Sequence, residues 1–178
     1  GGIYALAADL TLPADYIPVD FAASLDGDGH TITLTGKTGL FNVVKNATIK
    51  NLTINANIES DANVGGLAVT AEGNVVIDGV TVKGSIKGSE IAGFFQYVNA
   101  EGANVTITNS KNNANLIGTA KTAGFIAYTN KNAVITIDNC VNNGTITRVC
   151  PQATKCNSDS CCGYNAGAGF IANCDQDS

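Results

Sequence analysis

The stretch GLFNVVKNATIKNLTI, residues 39–54, contains two patterns that recur along the chain. The first is a glycine followed by two apolar residues, and its spacings are 27, 27, 31 and 45 residues. It occurs at Gly39, Gly66, Gly93, Gly124 and Gly169. The second is a strand-like segment with spacings of 28, 30 and 30 residues, centred on Ile49, Ile77, Ile107 and Ile137. The chain therefore consists of consecutive units of roughly thirty residues.

The residue types predict that each unit is built from β-strands. Val, Ile, Phe and Thr are enriched in short segments bounded by Gly and Asn, and no 3.6-residue periodicity is sustained. A third short strand in each unit is expected around Ile58, Ile86, Leu116 and Ile146. Because a unit of this length cannot bury its apolar face alone, successive units are expected to stack in parallel.

The predicted fold class is all-β, a single-stranded parallel β-helix or β-solenoid. It would have about five coils of roughly 27–31 residues, which the repeat period sets. The usual handedness of parallel β connections favours the right-handed form. With 178 residues and 44% hydrophobic content, we expect one domain over residues 1–178, with a Cys-rich insertion at about 148–168.

A corner is predicted within each unit, because the alternation of inward and outward residues shifts by one at a fixed position. The corner residues in successive units are Asn51, Gly79, Asn109 and Asn139. Asn and Gly adopt a left-handed backbone more readily than other residues. Asparagines stacked about 4.8 Å apart are able to hydrogen-bond along the stack.

On its segments IKNLTI and IDGVTV, the chain resembles the right-handed parallel β-helix proteins, including pectate-lyase-like folds. The resemblance implies an inward asparagine ladder at the corner. The Gly-Leu-hydrophobic repeat is also similar to that of secreted surface proteins of the adhesin or cell-envelope type. The resemblance covers roughly residues 20–147, and its motifs specify a fold better than an activity.

Charge and hydropathy exclude some partners. The net charge is −5, Arg148 is the only arginine, and the lysines are scattered among acidic neighbours. This pattern argues against nucleic acid and anionic membranes as partners. No apolar run is long enough for a membrane span, and no basic and apolar signal sequence begins at Gly1. No cofactor is expected.

The cysteines are all late in the sequence. They are Cys140, Cys150, Cys156, Cys161, Cys162 and Cys174. A zinc site would require paired Cys-x-x-Cys motifs or additional histidines, so we favour disulfides formed in an oxidising compartment. Six cysteines allow fifteen pairings, and the sequence does not choose among them. The predicted localisation is secreted or extracellular, at the cell surface.

Four Asn-x-Ser/Thr sequons are present, close to the three or so expected by chance, so position must decide among them. Asn46, Asn104 and Asn143 fall in turns beside strands and are the glycosylation candidates. Asn51 falls at the predicted corner. If its side chain points inward it cannot carry a glycan, so we expect it to be unmodified.

Acidic residues offer two alternatives to a purely structural role. Asp26 and Asp28 lie two apart, as calcium ligands do, but the rest of an EF-hand loop is missing and a turn is favoured. Asp78 and Asp138 occupy equivalent outward positions separated by Thr108. Their backbones should then lie roughly 10 Å apart, too far for a retaining carboxylate pair and at the outer limit for an inverting one.

No catalytic or metal-binding residue is predicted. His30, the only histidine, has no Ser or Cys partner suggested by spacing. A polysaccharide lyase or glycoside hydrolase on a β-helix scaffold remains an alternative, based on fold analogy. An ice-binding protein is a lesser one, because outward threonines recur but not regularly.

The ends of the repeat predict self-association. Gly169 to Cys174 reads as a strand of a further unit, and neither end shows the pattern of a capping helix. Unpaired strand edges invite pairing with another chain. We therefore predict an extracellular structural protein, a module of a filament, envelope or adhesive surface layer. It would assemble end to end and carry N-glycans.

Overall fold

The computed structural model describes residues 2–99, 102–149 and 167–174. Within these ranges the chain has twenty-one β-strands and no helix. The strands form three parallel sheets that coil as a β-solenoid of about four turns. The predicted fold class is confirmed. The number of turns is about four rather than five because the first and last turns contain only a few short strands.

The three sheets form the sides of the solenoid. Sheet A contains β1 (Ile3–Ala5), β3 (Val19–Phe21), β4 (Ser24–Asp26), β6 (Phe41–Lys50), β9 (Ala68–Asp78), β12 (Phe95–Val98), β13 (Asn104–Thr108), β16 (Ile126–Thr129), β17 (Val134–Asp138) and β21 (Ile171–Cys174). Sheet B contains β2 (Leu10–Thr11), β5 (Thr31–Leu34), β7 (Thr53–Glu59), β10 (Thr81–Gly88), β14 (Lys111–Gly118), β18 (Val141–Asn142) and β19 (Ile146–Arg148). Sheet C contains β8 (Val64–Gly65), β11 (Ile91–Ala92), β15 (Thr122–Ala123) and β20 (Gly167–Ala168).

One hydrophobic core runs through all the turns. The strand register aligns equivalent residues of successive turns, so that inward side chains form columns. One column consists of Leu25, Ile49, Ile77, Ile107 and Ile137. The three middle residues of this column are completely buried, and Ile137 packs against the same core while partly exposed. The predicted alignment of these isoleucines is therefore confirmed.

The first residue of each Gly-apolar-apolar motif has to be glycine, because the backbones of successive turns meet at its position. We call it the motif glycine. A Cβ on Gly66, Gly93 or Gly124 would lie against the carbonyl oxygen of the motif glycine in the following turn. The amide N–H of Gly93 donates to the carbonyl of Ala123 at 3.2 Å, which fixes this close approach. The apolar residue after the glycine points into the core and forms a second column, made of Leu40, Leu67, Phe94, Phe125 and Phe170.

The predicted corner residues all have positive φ: 52° at Asn51, 64° at Gly79, 51° at Asn109 and 49° at Asn139. Their side chains do not point inward, and the inward ladder expected from the resemblance is wrong. All three asparagines are exposed. Asn139 Nδ2 donates to Asn109 Oδ1 at 2.6 Å on the outer surface. The interior beside the corner is already filled by buried side chains such as Leu52, which leaves the amides outside.

An inward asparagine pair occurs elsewhere, in sheet B. Asn112 is completely buried, at a register position that Val82 and Ile54 occupy in the preceding turns. Its Nδ2 donates to Oδ1 of Asn142 at 2.7 Å, and its Oδ1 accepts from the Ala114 amide at 3.3 Å. Buried amides are tolerated because each finds a hydrogen-bond partner.

Substituting Asn112 with valine is expected to lower the free energy of unfolding by about 1–3 kcal/mol, because Asn142 Oδ1 loses its donor inside the solenoid. The double variant Asn112→Val/Asn142→Val should recover part of this loss, since both polar groups are then removed together. A double-mutant cycle in urea measures the coupling. Strictly additive effects would contradict the proposed pairing.

Candidate functional site

Two tyrosines stand side by side on the outer surface of sheet A. Tyr97 of β12 and Tyr128 of β16 are register partners, and their rings stack with centroids 5.1 Å apart. Both side chains are half-buried. The residue that follows Tyr97, Val98, is completely buried in the core, so that the tyrosine side chain is directed to the outside.

Three polar side chains lie next to these rings. Glu90 and Lys121 directly precede the paired strands β11 and β15, so that the strand register places them side by side. Lys121 Nζ lies 3.0 Å from Glu90 Oε1, and Gln96 Nε2 donates to Glu90 Oε2 at 3.0 Å. Lys121 Nζ also lies 4.3 Å from the centroid of the Tyr128 ring, within the range of a cation–π interaction. We call these five residues the Tyr–Lys cluster.

The Tyr–Lys cluster has the chemistry of a surface that contacts a polar ligand. Both carboxylate oxygens of Glu90 accept hydrogen bonds from fixed neighbours, which holds the group in place. The aromatic rings provide apolar area with a polar edge, and the cluster offers amide, carboxylate and ammonium groups beside them. These are the groups through which protein surfaces contact polar ligands.

Sequence reasoning missed the Tyr–Lys cluster, although a signal was present. Glu90 and Lys121 are separated by 31 residues. Tyr97 and Tyr128 have the same separation, which is that of the motif glycines Gly93 and Gly124. Residues with the separation of one turn lie in one column, so this spacing identifies both pairs.

The acidic residues considered as a carboxylate pair lie in one outward column of sheet A. This column consists of Asp26, Lys50, Asp78, Thr108 and Asp138. Thr108 separates the two candidate carboxylates, as the repeat spacing predicts. Asp78 Oδ1 accepts two hydrogen bonds, one from Asn109 Nδ2 at 2.7 Å and one from Thr108 Oγ1 at 2.9 Å. These hydrogen bonds lower the pKa of Asp78, which favours its ionised form and disfavours a role as general acid.

The Asp26–Asp28 segment is a turn stabilised by a side chain. The amide N–H of Asp28 donates to Asp26 Oδ1 at 3.0 Å, and Asp28 itself has φ of 49°. Lys50 Nζ lies 3.0 Å from Asp26 Oδ2, and Asn51 Nδ2 donates to Oδ1 at 3.1 Å. Among the residues that the structure describes, no three His, Cys, Asp or Glu side chains converge as a metal site would require.

Asp26 is expected to titrate with a pKa of about 2, compared with an ordinary value of 3.8. The Asp28 N–H contributes most to this lowering, followed by Lys50 and Asn51. Because the folded pKa is the lower one, the stabilisation is complete above pH 3.8 and is lost as the pH falls toward 2. Carboxyl carbon shifts followed by NMR across this range test the expectation.

The matched variant for this titration is Asn51→Ala, which removes one donor and should raise the pKa of Asp26 toward 3.8 without restoring it fully. An Asp26 pKa near 3.8 in the unsubstituted chain would contradict the hydrogen-bonding pattern.

His30 pairs with Asp9 at the beginning of β5. Its Nδ1 lies 3.2 Å from Asp9 Oδ1, and the same oxygen accepts from the Thr31 amide at 2.8 Å. The Thr31 N–H, and then His30, lower the pKa of Asp9. The arrangement joins β5 to the loop that precedes β2.

The sequon asparagines are all exposed. Asn46 has φ of 48° at the bend within β6, where its Oδ1 accepts from the Asn74 amide at 3.0 Å. Asn143 Nδ2 donates to Asn113 Oδ1 at 3.2 Å. Asn104 begins β13. Asn51 is exposed as well. The reason for expecting it to be unmodified, an inward side chain, therefore does not apply.

Two of the six cysteines lie in described parts of the chain, and both are free thiols. Cys140 Sγ lies 3.2 Å from the Asp138 carbonyl and 3.4 Å from that of Ile107, and burial raises its pKa. Cys174 is exposed at the end of β21. The other four, Cys150, Cys156, Cys161 and Cys162, lie outside the described residues, as does most of the predicted insertion.

Comparison with known proteins finds a protein-family model that matches part of the chain. A model described as the M26 IgA1-specific metallo-endopeptidase N-terminal region matches residues 3–84, less than half of the chain. This description differs from the pectate-lyase-like and adhesin families that the sequence motifs resemble. No curated protein and no solved structure matches the chain. In the part of the chain that is described, no helix has the length and apolar character of a membrane span.

Proposed function

We propose that this chain is a non-catalytic structural module of an extracellular protein, belonging to a filament, an envelope or an adhesive surface layer. The observation that carries the proposal is that outward polar side chains bond to the neighbouring turn. Lys45 pairs with Glu72 at 3.1 Å, and Lys87 pairs with Glu59. Thr145 Oγ1 donates to Asn115 Oδ1 at 2.8 Å.

This use of surface side chains suits a scaffold. A hydrolytic site needs acids and bases that converge on a substrate in a cleft. Here side chains on the sides formed by sheets A and B connect one turn to the next, and a single core connects the turns from within. Exposed pairs of this kind each add little stability, but together they link the turns along the stack.

The family match supports a module that accompanies other domains. The matched description is that of an N-terminal region, which by its name is one part of a larger protein. A second candidate therefore follows from the match, namely that the chain belongs to the N-terminal region of a metallo-endopeptidase. Its single histidine cannot provide a His-Glu-x-x-His zinc motif, so peptidase chemistry would require residues outside this sequence.

Immunolabelling of intact source cells tests the extracellular role. Antibody raised against the purified chain should label cells without permeabilisation, and an antibody to a cytosolic protein should label only permeabilised cells. Labelling that appears only after permeabilisation would overturn the proposed location. Mass spectrometry of the native protein that this antibody precipitates distinguishes the second candidate, which requires a His-Glu-x-x-His motif in the same polypeptide.

The non-catalytic assignment is tested on polysaccharides. We expect neither unsaturated uronic acids nor reducing ends to form when the chain is incubated with a panel of uronate-containing and neutral polysaccharides. The variant Asp78→Asn serves as the control for any activity that is found. Turnover that this substitution abolishes would overturn the assignment.

A further inference from the structure

The Tyr–Lys cluster ends at a step in the outer surface of the solenoid. In register with Tyr97, the preceding turn has Thr70, and the turn before that has Val43. These side chains point outward, because the next residue of each strand, such as Ala71 or Val98, is completely buried. A tyrosine ring extends further from the backbone than a threonine or valine side chain. The outer part of the Tyr97 ring therefore projects beyond the side chains of the two preceding turns.

The polar side of the cluster has a neighbour in the preceding turn as well. Glu90 and Asn63 each directly precede a strand of sheet C, β11 and β8, and these two strands are paired in register. Asn63 is exposed, and its Oδ1 accepts a hydrogen bond from the Glu90 amide at 3.2 Å. Asn63 is thus the neighbour of Glu90 in the preceding turn, as Thr70 is the neighbour of Tyr97.

The two pairs of neighbours lie beside each other. Gln96 directly precedes Tyr97 and donates to Glu90 Oε2 at 3.0 Å, so that the carboxylate lies next to the tyrosine within one turn. Because the turns stack in register, Asn63 and Thr70 have the same relation in the preceding turn. These four side chains form a recess with a floor of Asn63 and Thr70 and a wall of Glu90 and Tyr97. We call this recess the Tyr97 ledge.

The Tyr97 ledge combines an aromatic ring face with fixed hydrogen-bonding groups. One face of the Tyr97 ring stacks on Tyr128, and the other is directed toward the turn of Thr70. The Glu90 carboxylate has about four acceptor positions, and its neighbours in the cluster use two of them. The Asn63 amide nitrogen supplies donors, and the Thr70 hydroxyl both donates and accepts. A ligand on the ledge therefore contacts an apolar surface with donors and acceptors around it.

The charges of the cluster favour a neutral ligand. Lys121 Nζ lies 3.0 Å from Glu90 Oε1, so that the two formal charges cancel locally. This pair attracts neither an anion nor a cation strongly. A pyranose meets these requirements, because its C–H groups form an apolar face that packs on an aromatic ring. Its hydroxyl groups donate and accept hydrogen bonds around the rim of that face.

We propose that the Tyr97 ledge binds a neutral saccharide. The C–H face of one pyranose ring packs against Tyr97, and its hydroxyl groups bond to Glu90, Asn63 and Thr70. The ledge lies on two middle turns of the solenoid, and the Ile77 and Ile107 side chains in the core of these turns are completely buried. The inference deepens the adhesive form of the proposed function and rests on it for its biological role.

NMR titration of the isotope-labelled chain tests the proposal. The neutral probes are hexasaccharides of glucose, galactose, mannose and N-acetylglucosamine. A polygalacturonate oligomer is the acidic comparison, and reduced, carboxymethylated casein is the polypeptide comparison. At least one neutral probe should shift the amide signals of Thr70, Glu90 and Tyr97, with a Kd on the order of 1 mM, as expected for a small ligand on an open surface. No shift from any neutral probe at about ten times that concentration, or shifts from a comparison probe alone, overturns the proposal.

Two variants locate the saccharide on the ledge. Tyr97→Ala removes the ring face and should weaken binding roughly tenfold. Thr70→Tyr retains Tyr97 but fills the floor of the ledge with another ring, and it should abolish binding. Tyrosine is already present at this register position in two turns, so Thr70→Tyr should keep the fold even if Tyr97→Ala does not. Far-UV circular dichroism establishes which variants are folded.

The matched control is Tyr128→Ala, which removes the same ring from the next turn and leaves the four residues of the ledge in place. It should change the Kd by less than about twofold. A loss in Tyr128→Ala as large as that in Tyr97→Ala, or unchanged binding in Thr70→Tyr, would show that the saccharide is not bound on the ledge.

The outcome is separate from that of the proposed function, because binding is measured on the purified chain and location on cells. A chain that is found at the cell surface but binds none of the neutral probes keeps the scaffold role and loses the saccharide site. A chain that binds a neutral probe but is labelled only after permeabilisation keeps the saccharide site and loses the adhesive role.

Discussion

Replacing Gly93 with alanine is expected to lower the free energy of unfolding by about 3 kcal/mol. The added Cβ would lie against the carbonyl oxygen of Gly124 and 2.5 Å from Asn112 Oδ1. Neither group can move easily, because the first is backbone held in the stack and the second is a buried amide with hydrogen bonds on both sides. Urea unfolding followed by far-UV circular dichroism measures the loss.

Gly169 provides the matched control for this substitution. It occupies the same position of the motif, but among the residues that the structure describes a Cβ there would meet only Asn142 Nδ2, at 3.9 Å. Gly169→Ala should therefore change the free energy of unfolding by less than about 0.5 kcal/mol. Both variants are compared at low protein concentration, so that association between copies does not contribute. Equal losses at the two positions would show that stacking of backbones is not the reason for the glycine.

Substituting Phe125 with alanine should cost about 3–5 kcal/mol, the largest loss among the side-chain truncations of the core. Phe125 is completely buried, and its ring stacks between those of Phe94 at 4.6 Å and Phe170 at 5.1 Å. The truncation removes both stacking contacts and leaves a cavity that the fixed spacing of the turns cannot close. Urea unfolding again provides the measurement.

The column itself supplies the controls. Leucine is present at the equivalent positions in two earlier turns, Leu40 and Leu67, so Phe125→Leu should cost only about 1–2 kcal/mol. Phe170→Ala, at the exposed end of the column, should cost about 1 kcal/mol. A loss at position 170 as large as that at position 125 would mean that burial between two turns is not what stabilises the ring.

Much of the architecture could be predicted from the repeat. Equivalent residues of a parallel stack have the same inward or outward direction, so a column such as Ile49, Ile77 and Ile107 can be derived from spacing alone. The positive φ of the corner residues follows from residue type, since Asn and Gly recur where the alternation shifts. The outward position of Asp78, two turns from Asp138, follows in the same way.

The direction of the corner amides could not be derived from the repeat. Spacing identifies which asparagines form a column, but it does not say which side of the backbone they occupy. That depends on how much interior space remains beside the corner, where Leu52 and its equivalents are already buried. The buried Asn112–Asn142 pair was not expected either. The residues at the same register position in the preceding turns, Val82 and Ile54, are apolar.

The amino-acid sequence by itself determined the β-solenoid, the period of its turns and the columns that line its core, because these depend on a pattern that repeats along the chain. The tertiary structure alone decided which polar groups meet. The Tyr–Lys cluster brings Lys121, which precedes a strand of sheet C, against Tyr128 of sheet A, and the Asn112–Asn142 pair meets inside the solenoid. Such contacts depend on the shape of the corners and on the space that remains inside the solenoid, which a one-dimensional repeat does not contain.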